Sequence, residues 1–378
     1  MQIISRAQQW PDRIAITSDG KDFRFGELLA QSAQIASFLL GEKEDLQQAR
    51  IAFMVPPGFD YVAIQWGIWR AGGIAVPLSL HAPLPALEYV LEDTGATMLL
   101  YDRAFWKKLM PLKEKVALHR LPIEAVEEKE LPDMSADRAA MILYTSGTTS
   151  RPKGVVSTHA NLEAQISCLV KAWEWNMDDQ IVCVLPLHHV HGIVNVVSCA
   201  LWSGARVHFL PKFNPENLFG YMLGSDVTLF MAVPTIYFKL ISYWESLPGR
   251  GKENISNRLK DFRLLVSGSA ALPISVLEKW RKISGHTLLE RYGMTEIGMA
   301  VSNSYQGERR PGHIGLPLPG VDLRLVDEQD QLVADGESGE IQVKGPSIFR
   351  EYWQKPEATR ESFTTDGWFR TGDIAVFN

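Results

Sequence analysis

Thr145-Ser146-Gly147-Thr148-Thr149-Ser150-Arg151-Pro152-Lys153-Gly154 is the stretch from which the rest of the chain can be read. It packs hydroxyls, glycines and two cations into one loop behind Met141-Ile142-Leu143-Tyr144, an apolar run that reads as the buried end of a strand. Glycine lets backbone N–H groups approach an anion closely, the hydroxyls add neutral donors, and Lys153 adds a mobile charge. Such a loop suits a polyphosphate. A Walker A loop needs a glycine directly followed by Lys and then Ser or Thr. Here Lys153 precedes Gly154, so the P-loop fold is not implied. A plain Ser/Thr/Gly surface turn is the alternative for the same composition.

Outward from the loop, strand-like and helical patterns alternate. Before it, helical spacing covers 25–40, 61–71 and 84–94, with strand patterns at 50–55, 75–78 and 97–101. After it, strands are expected at 181–185, 206–210, 229–233 and 264–267, separated by helical stretches. Beyond about residue 307 the texture changes to Gly/Pro turns and short alternating strands at 321–326 and 339–343. Repeated alternation argues for mainly parallel sheets covered by helices. The expected fold class is α/β, with two mainly parallel sheets flanked by helices and a small β-rich, barrel-like unit. The expected divisions are 1–170, 171–306 and 307–378.

At 378 residues the chain exceeds one ordinary domain, and 46% hydrophobic with 22% charged residues is a soluble globular balance. A formal charge of -6 argues against an extended nucleic-acid surface. Cys168, Cys183 and Cys199 sit in apolar surroundings without disulfide or zinc spacing. The first residues lack a long apolar core, and the run at 193–201 is far too short to span a membrane. Cytoplasmic residence is the default expectation.

Three segments, in order, carry a resemblance. The loop 145–154 resembles the phosphate-binding signature of the adenylate-forming superfamily, which includes acyl-CoA synthetases, luciferases and peptide-synthetase adenylation domains. Arg291-Tyr292-Gly293-Met294-Thr295-Glu296 resembles its adenine and magnesium motif, and Gly367-Trp368-Phe369-Arg370-Thr371-Gly372-Asp373 its ribose motif. Ser150 departs from the glycine many relatives carry. The likeness spans essentially the whole chain and implies the large N-terminal domain of an acyl-CoA synthetase. A smaller C-terminal lid domain, bearing a catalytic lysine, is expected to follow Asn378.

The resemblance implies an ATP-dependent acid-thiol ligase with ATP, Mg²⁺ and coenzyme A as its small-molecule partners. Thr145, Ser146, Gly147, Thr148, Thr149 and Lys153 would cradle phosphates, with Thr148 and Glu296 at the magnesium ion. Ser267, Gly268, Ser269, Ala270, Tyr292, Gly293, Met294 and Thr295 would line adenine, and Asp373 would hold the ribose. His189 and His191 match the motif at the acyl pocket and pantetheine tunnel, and Met294 would also face the acid. Thr148, Lys153, Glu296 and His189 are the expected catalytic set. On residue chemistry alone, His188, His189 and His191 invite a zinc site but have no convincing fourth ligand beside them.

Arg291 bears on which acid is used. A buried guanidinium needs an anionic partner, either Glu290 in the chain or a second carboxylate on the substrate. Residue chemistry leaves both open. Residues 185–192, 266–273 and 290–296 look specifically like the malonyl-CoA synthetase subfamily, which implies malonate or methylmalonate read by Arg291. A short- or medium-chain fatty acyl-CoA synthetase and a non-catalytic nucleotide-binding fragment are the competing readings.

Overall fold

The computed structural model describes residues 1–145, 151–210 and 212–378. Among these, strands form three sheets of nine, seven and three strands. In the seven-stranded sheet, Arg50–Met54, Ile74–Pro77 and Met98–Tyr101 run parallel, linked by the helices Phe59–Arg70 and Leu84–Thr94. Parallel strands need such crossovers. Ala139–Thr145 joins parallel to Ile74–Pro77, then the chain returns antiparallel as Lys153–Thr158. The phosphate-loop sequence therefore connects two strands of a hairpin, not a strand to a helix.

The nine-stranded sheet has a parallel centre of Arg206–Phe209, Gln180–Cys183, Leu229–Ala232, Leu264–Ser267 and Leu289–Met294. Ile14–Ser18 pairs with Arg206–Phe209 and turns back as Lys21–Arg24. The start of the chain thus lies at one edge of this sheet, while Gly298–Ser302 and Leu316–Pro317 close the other antiparallel. Asp322–Val326, Ser338–Lys344 and Phe369–Val376 form the small antiparallel sheet.

Helices Phe25–Leu40 and Leu84–Thr94 coincide with the periodic segments because their boundaries are written locally. In the first, Glu27 Oε2 accepts from the Arg24 N–H at 2.7 Å, and Gly41 ends the helix. In the second, Pro85 fits the first turn and Gly95 takes the left-handed conformation, φ 60°, that most side chains avoid. Helix Phe25–Leu40 packs against Phe59–Arg70 so closely that a side chain at Gly67 would lie 2.5 Å from Ile35 Cγ2. One apolar core, with Phe53, Trp66, Leu185, Ile193 and Val266 among its members, draws on both large sheets. Burying each such side chain stabilises the fold by roughly 1.5–3 kcal/mol.

Candidate active site

Thr145 and Lys153 are cross-strand partners at the mouth of the hairpin, with Tyr144 opposite Gly154. Ser146, Gly147, Thr148 and Thr149 lie outside the described residues, as does Ser150. The Lys153 ammonium sits over the Tyr352 ring, 4.6 Å from its centroid. Beside it, Glu296 lies in the turn after strand Leu289–Met294 and is 5% exposed. Its Oε1 accepts from the Tyr352 hydroxyl at 3.0 Å, and its buried Oε2 has no partner among the described residues. Burial raises the Glu296 pKa; its hydrogen bonds and nearby Lys153 pull the other way. A buried carboxylate oxygen with no donor suits a hard cation. Among the described residues no three His, Cys, Asp or Glu side chains converge as a metal-binding group.

The acid end of the site gathers three segments. Arg291, on strand Leu289–Met294, is 4% exposed, and burial pushes its pKa down to about 9, so it stays charged at neutral pH. Its Nη2 donates to Ser269 Oγ at 3.1 Å, and its buried Nε has no partner among the described residues. No ion pair to Arg291 occurs among the described residues. Adjacent residues of a strand face opposite ways, so Glu290 turns elsewhere and its Oε1 accepts from the Gly312 N–H at 3.2 Å. Glu290 is therefore not the counterion that the local sequence offered.

Ser269 holds a left-handed backbone, φ 66°, uncommon outside glycine. Its Oγ also lies 3.2 Å from His191 Nδ1. Burial, then Arg291, then His189 keep the His191 pKa well below its ordinary value. A neutral His191 that takes the Ser269 O–H on Nδ1 must carry its own proton on Nε2. Nε2 is buried and has no partner among the described residues. Ser269 Oγ thus links Arg291 to His191 in one polar chain.

Gly268 is set by this chain: a Cβ there would fall 2.5 Å from Arg291 Cζ and Nε. Gly268→Ala should therefore displace the guanidinium and raise KM for a dicarboxylic acid about tenfold while leaving KM for ATP within about twofold, measured by initial rates. Equal rises in both would place Gly268 at the nucleotide instead.

The Tyr292 hydroxyl donates to Asp373 Oδ2 at 2.7 Å across 81 positions. Gly293 cannot bear a side chain, since a Cβ would meet the Gly298 carbonyl oxygen at 2.0 Å. Met294 pairs with Gly298, and Thr295 begins the turn that presents Glu296. Ser267 Oγ is buried without a partner, whereas Ala270 is exposed in a bend. The rings of His188 and His189 are 4.1 Å apart, and both border an apolar cleft of about 750 Å³ with Leu78, Tyr89, Tyr144 and Arg151.

Two features escaped the sequence reading. His191–Ser198 is a π-helix, a rare form that concentrates at functional sites. Within it Asn195 is fully buried, and neither amide atom has a partner among the described residues. A lone Asn among Ile193, Val194, Val196 and Val197 was the available signal. Tyr352 was also missed, because its partners are distant in sequence.

Over residues 4–353 the chain matches the model of the AMP-binding enzyme family, and it belongs to that family, in its acyl-CoA synthetase branch. Among curated relatives, the malonate–CoA ligase ACSF3, mitochondrial, of Mus musculus is 43% identical, with 99% of this chain and 71% of the relative aligned. The crystal structure of apo MatB from Rhodopseudomonas palustris superposes with a TM-score of 0.89 at 32% identity, covering 99% of this chain and 76% of that one. A malonyl-CoA ligase ternary product complex with methylmalonyl-CoA and AMP superposes with a TM-score of 0.85 at 34% identity, covering 97% and 76%. Among the described residues no helix is long and apolar enough to cross a membrane.

Proposed function

We propose that this chain activates malonate or methylmalonate with ATP and passes the acyl group to coenzyme A. The observation that carries this is Arg291, a buried cation with no counterion among the described residues. A second carboxylate on the substrate would complete it, accepting from Arg291 Nε and from His191 Nε2. A monocarboxylic chain would leave the guanidinium uncompensated, which costs more than the apolar contact returns.

The reacting carboxylate attacks the α-phosphorus of ATP, the bond to pyrophosphate breaks, and acyl-AMP forms. Both groups are anions, so the protein's work is positioning and charge neutralisation. Lys153 and the loop from Thr145 to Thr149 would take the β- and γ-phosphates, with Tyr292 against adenine and Asp373 on the ribose. Glu296 Oε2, buried and without a partner among the described residues, fits the role of magnesium ligand, with Thr148 as the second residue expected there. Magnesium bound there would neutralise phosphate charge. Thiolate attack on the acyl carbonyl then releases AMP. The cleft bordered by His189 and Tyr89 offers an apolar approach for the pantetheine arm.

The test is calorimetric titration of malonate, methylmalonate, acetate and octanoate, each with magnesium and a non-hydrolysable ATP analogue. The two dicarboxylates should bind at least tenfold more tightly than acetate. Preference for octanoate would return Arg291 to a structural role and favour a fatty acyl-CoA synthetase.

A further inference from the structure

We infer that Tyr352 is a positioning residue that ties the phosphate-loop lysine to the metal-facing carboxylate, resting on the reading of Glu296 just given. The backbone around it is stitched to both. Strand Glu351–Tyr352 runs antiparallel to Lys153–Thr158, with Tyr352 opposite Val155. The Trp353 N–H donates to the Gly154 carbonyl at 2.7 Å, and the Arg350 N–H to that of Val156 at 2.8 Å. On the other side, the Phe349 N–H donates to the Glu296 carbonyl at 2.7 Å. A displacement of the hairpin that frames the phosphate loop is therefore transmitted to the backbone of Glu296.

The side chain repeats this connection. Its hydroxyl donates to Glu296 Oε1 at 3.0 Å, while its ring carries the Lys153 ammonium 4.6 Å from the centroid. The ring is 7% exposed and packs against Phe349 with centroids 4.7 Å apart, which restricts its swing. A phenylalanine would satisfy that packing equally well. The hydroxyl does something more: by occupying Oε1 it fixes the rotation of the carboxylate, so that Oε2 is the oxygen left without a donor among the described residues. The ring meanwhile gives the lysine a resting place that an arriving phosphate can outcompete, since cation–π attraction is weaker than a charged pair. One side chain thus prepares two groups that must act on the same polyphosphate.

The test compares Tyr352→Phe, Tyr352→Leu and Glu296→Gln with the parent. Manganese serves as the probe ion, its binding followed by electron paramagnetic resonance beside a non-hydrolysable ATP analogue, and the analogue's own affinity is measured by calorimetry. Removing a group that orients a metal ligand typically weakens metal binding about 10–100-fold. Tyr352→Phe should therefore bind manganese about tenfold more weakly, yet hold the analogue within about twofold at saturating metal, because the ring still carries Lys153. Tyr352→Leu should lose analogue affinity as well. If Glu296→Gln weakens manganese binding and Tyr352→Phe leaves it within twofold of the parent, the inference is wrong and the reading of Glu296 stands. If Glu296→Gln also binds manganese like the parent, that reading fails and the inference falls with it.

Discussion

Arg291→Met should cut malonate affinity by at least about 30-fold while leaving the ligand-free protein as stable as the parent, or more so. The two halves have one cause. In the folded chain the guanidinium is buried and, among the described residues, hydrogen-bonds only to Ser269, at 3.1 Å, with no carboxylate paired to it. Exchanging an unpaired buried charge for an apolar side chain of similar length removes a desolvation cost, and such replacements are often neutral or stabilising by about 1–4 kcal/mol. The same exchange deletes a charge-assisted contact to the distal carboxylate, and losing a buried charge pair costs about 2–5 kcal/mol in affinity. Calorimetry with the acid panel and a thermal scan of the empty protein check both halves. A lowered Tm with an unchanged ratio of malonate to acetate binding would mean that the residue is structural.

Glu296→Gln should lower magnesium-dependent pyrophosphate release by about 10²–10³-fold, the range seen when one preorganised electrostatic contact is deleted. The amide keeps the shape and can still accept from Tyr352, so local packing is preserved. Burial raises the Glu296 pKa above the ordinary carboxyl value. A carboxyl group whose folded pKa is raised withdraws stability as the pH climbs past its unfolded value, because the fold then holds a charge it disfavours. The neutral amide removes that penalty, so the variant's thermal stability near neutral pH should equal or exceed the parent's. Full release by a variant with an unchanged Tm would remove Glu296 from the reaction.

Both predictions describe groups that the fold holds at a cost until substrate arrives, an arrangement that trades stability for function. Only part of this was visible in the chain as written. Helix Leu84–Thr94 could be read to its ends because Pro85 and Gly95 act on their immediate neighbours. The loop after Thr145 could be read as an anion site because glycines, hydroxyls and a lysine act through their own chemistry. The motif around Arg291 and Glu296 offered, by resemblance, candidate residues for a nucleotide and acid site. It did not show that Glu290 faces away from Arg291; that required the side-chain direction of one particular strand.

The linear pattern by itself therefore determined the class of fold, the alternation of parallel strands and helices, and the residue types available for phosphate, purine and acid. These depend on periodicities and on residues a few positions apart. Only the tertiary structure decided that the hairpin at 14–24 joins the nine-stranded sheet. It also decided that Ser269 reaches His191 across 78 positions and that Tyr352 reaches Glu296 across 56. Those pairings arise when two sheets bury a common core and bring their edges together. No local propensity encodes which distant side chain will then lie opposite, so the counterions and proton partners of this site became definite only once the chain had packed.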